Sequence, residues 1–399
     1  MRLRFLHISR TVWILSLVSF FTDMASESLY PVMPAFLTSI GFSVLWIGLL
    51  EGMAEAAAGL TKGYFGNLSD HFRKRLPFVQ LGYFFSAVSK PLIAGSVLPL
   101  WIFGCRLIDR IGKGLRTAPR DAILSSESSP ETKGSVFGFH RALDTLGAVL
   151  GPAMALLWLH HFPGQYRELF LVAFIPGMLA VLLTFGLREK APPPITSPRP
   201  GLLAFTAYWK NSNSRYRTIA GGLLFFALIN SSDLFLILRA RDAGLSDTNV
   251  ISIYIFYNLI YSMFAYPAGR LADRIGLKNM LVIGVLIFSG VYSGMMFDGS
   301  ATWHLLLFFL YGLYAACTES IGKALIANSV PASQLATAIG TFHAFQSLAA
   351  LISSSLAGLV WHLAGPQWLF GTTGFLALGI ALYFGLSRPS RPDYKANAS

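Results

Sequence analysis

Residues 101–124 read WIFGCRLIDRIGKGLRTAPRDAIL. The stretch has the length of a membrane-crossing helix, yet it carries Arg106, Asp109, Arg110, Lys113, Arg116 and Arg120. Spacings of three, four or seven residues put these side chains on one helical face. A charge at membrane depth costs roughly 2.5–3.5 kcal/mol on insertion scales, and packing gives no reason for such a row. The face must turn toward protein or water, so the stripe points to where the chain does its work.

The rest of the 399 residues supports a membrane setting. Hydrophobic residues make up 54% and charged residues 13%, with mean hydropathy +0.56. Soluble domains carry about 25% charged residues. Apolar runs of about twenty residues recur along the chain. The expected fold class is an all-α polytopic membrane protein with spans at 12–38, 44–66, 76–96, 99–124, 134–159, 166–187, 217–239, 248–268, 279–298, 301–327, 335–361 and 367–386. The run after Arg10 contains Asp23 and Glu27 and leads into a second span, unlike a cleaved leader.

The net charge of +12 does not imply nucleic acid, because Lys and Arg concentrate in alternate loops. That asymmetry predicts a multi-pass protein of the cytoplasmic (inner) membrane with both termini cytoplasmic. Cys105 and Cys317 fall within spans and read as small apolar residues. No zinc spacing, phosphate-binding glycine loop or nucleophile elbow is found, so no cofactor is expected and an enzyme is disfavoured.

A proline-dense stretch, APPPITSPRP at 191–200, divides the chain. The expected units are a first bundle at 1–187, a cytoplasmic linker at 188–216 and a second bundle at 217–399. Within the linker, GLLAFTAYWK is expected on the membrane surface, with Leu202, Phe205 and Trp209 toward lipid. The halves repeat each other. GNLSDHF at 66–72 matches GRLADRI at 269–275, and Phe139-His140 matches Phe342-His343, both at an offset of 203. Pro130 matches Pro331. A parallel repeat of six helices suits a rocking transporter with its site between the halves.

Three motifs resemble those of the major facilitator superfamily. The loop after span two, with Gly66, Leu68, Asp70, Arg73, Lys74 and Arg75, resembles its gate signature. Arg73 stands where a second glycine is usual. The loop after span eight repeats it with Gly269, Leu271, Asp273, Arg274, Gly276 and Lys278. The resemblance implies a cytoplasmic latch in which the aspartate meets a helix N-terminus, a favourable place for a carboxylate. Arg106 to Gly114 resembles the family's arginine-x-x-glutamine-glycine-x-glycine stretch, with Asp109 and Arg110 replacing the glutamine and glycine. The resemblance implies a part for Arg106 in proton coupling. Gly138, Gly147, Gly151 and Pro152 resemble the antiporter signature, whose final glycine is Ala155 here. DRIGKGLRTAPRDA with FGFHRALDTLGAVLGP is similar to a subgroup of prokaryotic facilitators. The implied fold is twelve helices in two pseudo-symmetric six-helix bundles.

The candidate coupling and substrate residues are the polar groups at membrane depth. In span one, Asp23 and Glu27 share a stripe, and Pro31 and Pro34 should break the helix after them. Two carboxylates four apart repel, which suits proton carriage, although fixed ion pairs are the plain alternative. Glu55 in span two, beyond Glu51, divides evenly between function and structure. Lys90 in span three needs a carboxylate partner or a snorkelling route. In span four, Asp109 can pair within its own helix with Arg106 and Lys113, while Arg106 and Arg110 suit a carboxylate of protein or solute. Arg116, Arg120 and Asp121, nearer the cytoplasm, read as gate ion pairs.

Span five supplies His140, which can carry a proton or simply be hydrogen-bonded, and Arg141 with Asp144 as an ion pair. The second half offers Asn230 and Asp233, a span-eight row of Tyr254, Tyr257, Asn258 and Tyr261, and Glu319, His343 and Gln346, some of which are expected to bind substrate. Glu319 and Lys323 are expected to satisfy each other, and such polar groups also commonly join helices.

The expected function is secondary active transport of a small polar or charged solute, including anions, by alternating access. Protons are the expected coupling partner, and the span-five glycines favour export by antiport. Proton-coupled uptake of an anionic metabolite is the alternative. A receptor or sensor on the same bundle lacks a signalling domain, an intramembrane enzyme lacks a nucleophile–base motif, and an ion channel has no use for a duplicated latch. The expected partners are that solute, protons and the bilayer, with a monomer as the unit.

Overall fold

The computed structural model describes residues 8–30, 32–42, 44–189, 201, 204–245 and 247–386. Its helices are α1 (Arg10–Glu27), α2 (Met33–Ser39), α3 (Val44–His71), α4 (Leu76–Ala94), α5 (Pro99–Ser126), α6 (Lys133–His161), α7 (Tyr166–Thr184) and α8 (Ala204–Asn211). They continue with α9 (Ser214–Ile229), α10 (Leu234–Asp242), α11 (Asp247–Ile275), α12 (Leu277–Met295), α13 (Ala301–Ala327), α14 (Leu335–Ala364) and α15 (Pro366–Leu386). No strand occurs among the described residues. The fold is a twelve-span bundle of two related sets of six. Spans one and seven are each built from two helices, and α8 belongs to the linker.

Local sequence fixes the helix ends. Ser9, Asn213 and Ser300 accept hydrogen bonds from the backbone N–H of Val12, Tyr216 and Trp303, capping α1, α9 and α13. The α4 start lacks a side chain of its own for this task. Glu189 reaches back from beyond α7 and accepts from the N–H of Arg75 (2.8 Å) and Leu76 (2.9 Å).

The break in span one follows expectation, with Pro34 at the second position of α2; Pro31 lies outside the described residues. The break in span seven does not. Residues 217–239, expected as one span, stop at Ile229 and restart at Leu234. Asn230, Ser231, Ser232 and Asp233 lie between, with neither proline nor glycine. Side chains here turn to other helices: Asn230 donates to Tyr314 at 2.8 Å, and Asp233 accepts from Tyr311 and Tyr257.

Among the described residues, six helical units are long and apolar enough to cross a membrane on composition alone. Only two, α6 and α7, belong to the first half. The other first-half helices are interrupted or charged, and their polarity is absorbed inside the bundle. Lys90, Arg106, Asp109, Arg116, Arg120 and Asp121 are all buried.

The halves meet along two seams, α3 against α14 and α6 against α11. Both are tight toward one end. A Cβ on Gly66 would strike the carbonyl oxygen of Ala336, and one on Gly138 would lie 2.5 Å from that of Ala265. The backbone approach there depends on the missing side chains.

The linker helix corrects an expectation. Phe205 is buried rather than turned to lipid, with its ring 5.5 Å from Phe345. Trp209 lies 5.3 Å from the same ring and 6.0 Å from Tyr216. Tyr208 donates to Gln334 at 3.2 Å. Thus α8 docks across the α3–α14 seam, where aromatic burial outweighs lipid contact. Leu202 and the 191–200 stretch lie outside the described residues, as do the chain ends.

Candidate functional site: a charged cavity between the two halves

A cavity of about 520 Å³ lies between the six-helix sets. The first half contributes Asp23, Glu27, Lys62, Lys113, Arg116, Thr117, Arg120, Arg141 and Asp144. The second contributes Asn230, Asp233, Tyr254, Tyr257, Asn258, Tyr261, Tyr314, Glu319, Lys323, His343 and Gln346, with Phe226 and Phe342. The breaks in spans one and seven explain part of this placement. Glu27 ends α1, and Asn230 and Asp233 flank the α9–α10 interruption, so the polar groups sit where helical pairing stops.

Ion pairs join the halves across the cavity. Arg141 reaches Asp144 and Glu319, both at 2.7 Å, and donates to Tyr261 at 2.5 Å. Asp121, fully buried, takes Arg120 at 2.9 Å from its own helix and Lys323 at 3.0 Å from α13. His343 Nε2 stands 3.7 Å from the same carboxylate, and its Nδ1 is 3.0 Å from Gln346. Glu319 and Lys323 therefore do not satisfy each other as expected. Each turns to a partner in the other half: Lys323 meets the fully buried Asp121, whereas Glu319 stays exposed beside Arg141.

The α5 stripe divides into two groups. Lys113, Arg116 and Arg120 reach the cavity. Arg106, Asp109 and Arg110 do not; they line a side pocket of about 50 Å³ with Lys90, Ser26 and Tyr30. Asp109 pairs with Lys90 at 3.1 Å and Arg106 at 3.8 Å, but makes no ion pair with Lys113. Asp23, Glu27, Lys113 and Arg116 border both spaces. Arg116 donates to Ser86 and lies 4.7 Å over the Tyr83 ring. Among the described residues, Asp23, Glu27 and Lys113 make no side-chain hydrogen bond or ion pair.

His140 is also outside the cavity wall. It is buried with Nε2 2.9 Å from Ser19 Oγ. The side chain of Glu55 lies outside the described side chains. The sequence reading puts Arg116, Arg120 and Asp121 at a gate and lines span eight with Tyr254, Tyr257, Asn258 and Tyr261, all of which border the cavity except Asp121; it leaves Lys62, Lys323 and Tyr314 out of the candidate site.

Both motif loops form latches at the tight end of the seams. Asp70 accepts from Thr337 N–H (2.8 Å) and Oγ1 (2.9 Å), in the first turn of α14. Arg75 clamps it from Nε (3.0 Å) and Nη2 (2.7 Å), and also donates to the Ala332 carbonyl at 2.9 Å. Asp273 accepts from the N–H groups of Gly134 and Ser135, both at 2.8 Å, and from the Ser135 hydroxyl, in the first turn of α6. Each carboxylate faces the positive end of a helix in the other half. These aspartates lie beyond the membrane-crossing stretches. Burial pushes both carboxyls up from their ordinary range, and the surrounding donors pull them back. Gly66 and Gly269 sit in the seams, whereas Arg274 is exposed. Arg73 has φ 56° and Gly276, its repeat equivalent, φ 97°.

The antiporter-like glycines are packing points. A Cβ on Gly147 would strike the Phe20 carbonyl, and one on Gly151 would lie 2.7 Å from that of Met24. They bring α6 against α1 next to Asp23 and Glu27, with Pro152 on the same helix.

The family model described as Major Facilitator Superfamily matches residues 15–256 and 218–399. An uncharacterized MFS-type transporter of Methanocaldococcus jannaschii is 34% identical over 384 residues, covering 94% of this chain and 95% of the relative. Among solved structures, the human organic anion transporter MFSD10 (TETRAN) superposes with TM-score 0.79 at 21% identity, covering 94% of this chain and 99% of that one. The Escherichia coli fucose:proton symporter FucP gives TM-score 0.78 at 12% identity, covering 95% and 98%. At these identities the two structures bear on fold alone.

Proposed function

This chain belongs to the major facilitator superfamily, and from that premise we propose that it moves a small polar or charged solute by proton-coupled alternating access, in the direction of export by antiport. The observation that carries the reading is the cavity between the halves, bordered by Asp23 and Glu27 with no ion pair of their own, in a molecule whose halves are latched together by Asp70 and Asp273. Cross-half ion pairs that break and re-form as the halves rock supply the two states such transport needs.

Asp23 and Glu27 are the proposed proton carriers, because no protein cation holds either in a fixed pair. Asp144, held by Arg141 and 4.0 Å from Arg120, is the proposed relay between α6 and α5. The latched end is read as cytoplasmic, with both termini on that side of the cytoplasmic membrane. The moving units are proposed as 1–187 and 217–399 with 188–216 linking them. The glycine-mediated α1–α6 contact supports antiport. A second reading, proton-coupled uptake of an anionic metabolite, draws on the cationic row of Lys113, Arg116 and Arg120 at the cavity wall.

The test uses proteoliposomes loaded with a pooled metabolite extract and subjected to an imposed pH gradient, with efflux followed by mass spectrometry. At least one solute should leave faster when protons flow inward. Asp23→Asn, Glu27→Gln and Asp144→Asn should each uncouple efflux from the gradient. Unchanged coupling in all three variants sinks the proton assignment, and entry instead of exit selects uptake.

A further inference from the structure

Most charges on the cavity wall are answered by the protein itself. Arg141 is held by Asp144 and Glu319, and Arg120 and Lys323 share Asp121. Asp233 accepts from Tyr311 at 2.7 Å and Tyr257 at 3.2 Å. What remains without a side-chain hydrogen bond or ion pair among the described residues is Asp23, Glu27 and Lys113, while Arg116 has the Ser86 hydroxyl and the Tyr83 ring but no carboxylate in contact. The two carboxylates lie four residues apart on α1, and the ammonium is on α5. Together with Arg116, they border both the cavity and the side pocket.

The remainder therefore contains both signs on one wall. A simple anion would meet Asp23 and Glu27, and a simple cation would meet Lys113 and Arg116. Either leaves one sign desolvated and unpaired, which is the costly arrangement. A solute carrying both an ammonium and a carboxylate answers both. The opposite wall is aromatic and amide-bearing, with Tyr254, Tyr257, Tyr314, Phe226, Asn230 and Asn258. It suits an apolar or aromatic side group, and rings lend further attraction to an ammonium. The cavity volume of about 520 Å³ lies within the range of metabolite sites.

We propose that the cavity is a zwitterion site for an amino acid with an apolar or aromatic side chain. Its amine rests between Asp23 and Glu27, and its carboxylate rests on Lys113 and Arg116. This rests on the transport reading above but makes a separate claim, because it concerns binding.

The probes are three matched pools: the proteinogenic amino acids, their N-acetyl derivatives (amine charge removed) and their methyl esters (carboxylate charge removed). Thermal shift of the purified wild-type protein is the readout. Only the free amino acids should raise the melting temperature, with either derivative pool needing at least about tenfold higher concentration. Within the free pool, apolar and aromatic members should act at the lowest concentration. Lys113→Gln should erase the discrimination against methyl esters while keeping that against N-acetyl compounds. Glu27→Gln should do the reverse.

An equal or larger shift from either derivative pool, or none from the free amino acids, overturns the proposal, and wild type alone decides this. Counterflow of the labelled amino acid pool in proteoliposomes separates the two claims. Binding without movement sinks transport and leaves the zwitterion site standing. Movement of singly charged solutes with no effect of amino acids sinks the site and leaves transport standing.

Discussion

Around α5, the first half of the bundle is held by ions: Lys90 with Asp109, Arg106 with Asp109, and Arg120 with Asp121. At the matching place in the second half, rings fill the space. Phe288 stacks on Tyr292 at 4.1 Å, and Phe226 and Tyr314 lie 5.0 and 4.9 Å from Phe288. The second half still has a buried carboxyl facing the cavity, Asp233, but tyrosine hydroxyls hold it rather than cations. At the repeat offset of 203, Glu27 corresponds to Asn230 and Arg120 to Lys323. One repeated six-helix plan thus carries a half held largely by ions and a half held largely by rings and hydroxyls. Where the halves meet, Asp121 and Arg141 borrow partners from the other side, so the distribution of charge is tied to the closed state.

The sharpest way to break this contrast is at the two carboxyls. Asp121→Asn removes the shared anion of Arg120 and Lys323, leaving Arg120 buried without its nearest carboxylate and Lys323 half-buried at the cavity wall. The expected loss is about 3–5 kcal/mol, read as a fall in melting temperature of the purified protein. Asp233→Asn removes an acceptor of two hydroxyl bonds, and the expected loss is about 1–2 kcal/mol. Equal losses would show that ionic and aromatic halves are not held differently after all.

The latches extend the contrast to the closed end. Asp70 has an arginine clamp; in the second copy the residue at the place of Arg75 is Lys278, which points instead to the Gly385 carbonyl at 3.4 Å. Asp70→Asn should cost about 3 kcal/mol of closure, because buried Arg75 loses its carboxylate. Asp273→Asn should cost about 1.5 kcal/mol, the worth of weakened charge-assisted hydrogen bonds. Spin labels at exposed Lys74 and Arg274, one in each half, read the closed fraction as a distance distribution. A larger opening from Asp273→Asn than from Asp70→Asn would reverse the ranking.

Much of this was legible from the chain alone. Apolar runs gave the spans, and the repeated GxLxD loops located both latches. The three-residue spacing of Arg141 and Asp144 gave their ion pair, though its closest outside partner is Glu319 of span ten rather than a group of span one or four, and of the two routes open to Lys90 the carboxylate is the one taken. What sequence could not reveal depends on which helix faces which. Glu319 and Lys323 share a helical face, but exposed pairs of that kind contribute only about 0.2–0.5 kcal/mol and yield readily to cross-bundle partners. Phe205 and Trp209 have the spacing of a lipid-facing stripe, and the same stripe serves equally to dock α8 on Phe345. The break at Asn230–Asp233 carries none of the usual punctuation. Its polar side chains find tyrosine hydroxyls on other helices, partners that the local sequence does not reveal.

The smallest effect concerns the latch turns themselves. Arg73 occupies the left-handed region at φ 56°, where a side chain costs about 1–2 kcal/mol; Gly276 fills the equivalent turn at φ 97° without that cost. Arg73→Gly removes the steric penalty, but it also loosens the unfolded chain and gives up the contacts of the arginine side chain. A net gain of about 0.5 kcal/mol or less is therefore expected. Gly276→Arg imposes the penalty afresh and should lower stability by about 1–2 kcal/mol. The pair of melting temperatures therefore moves in opposite directions if both turns keep the same backbone. A loss in both variants would mean that the Arg73 side chain, rather than its backbone, is what the first latch retains.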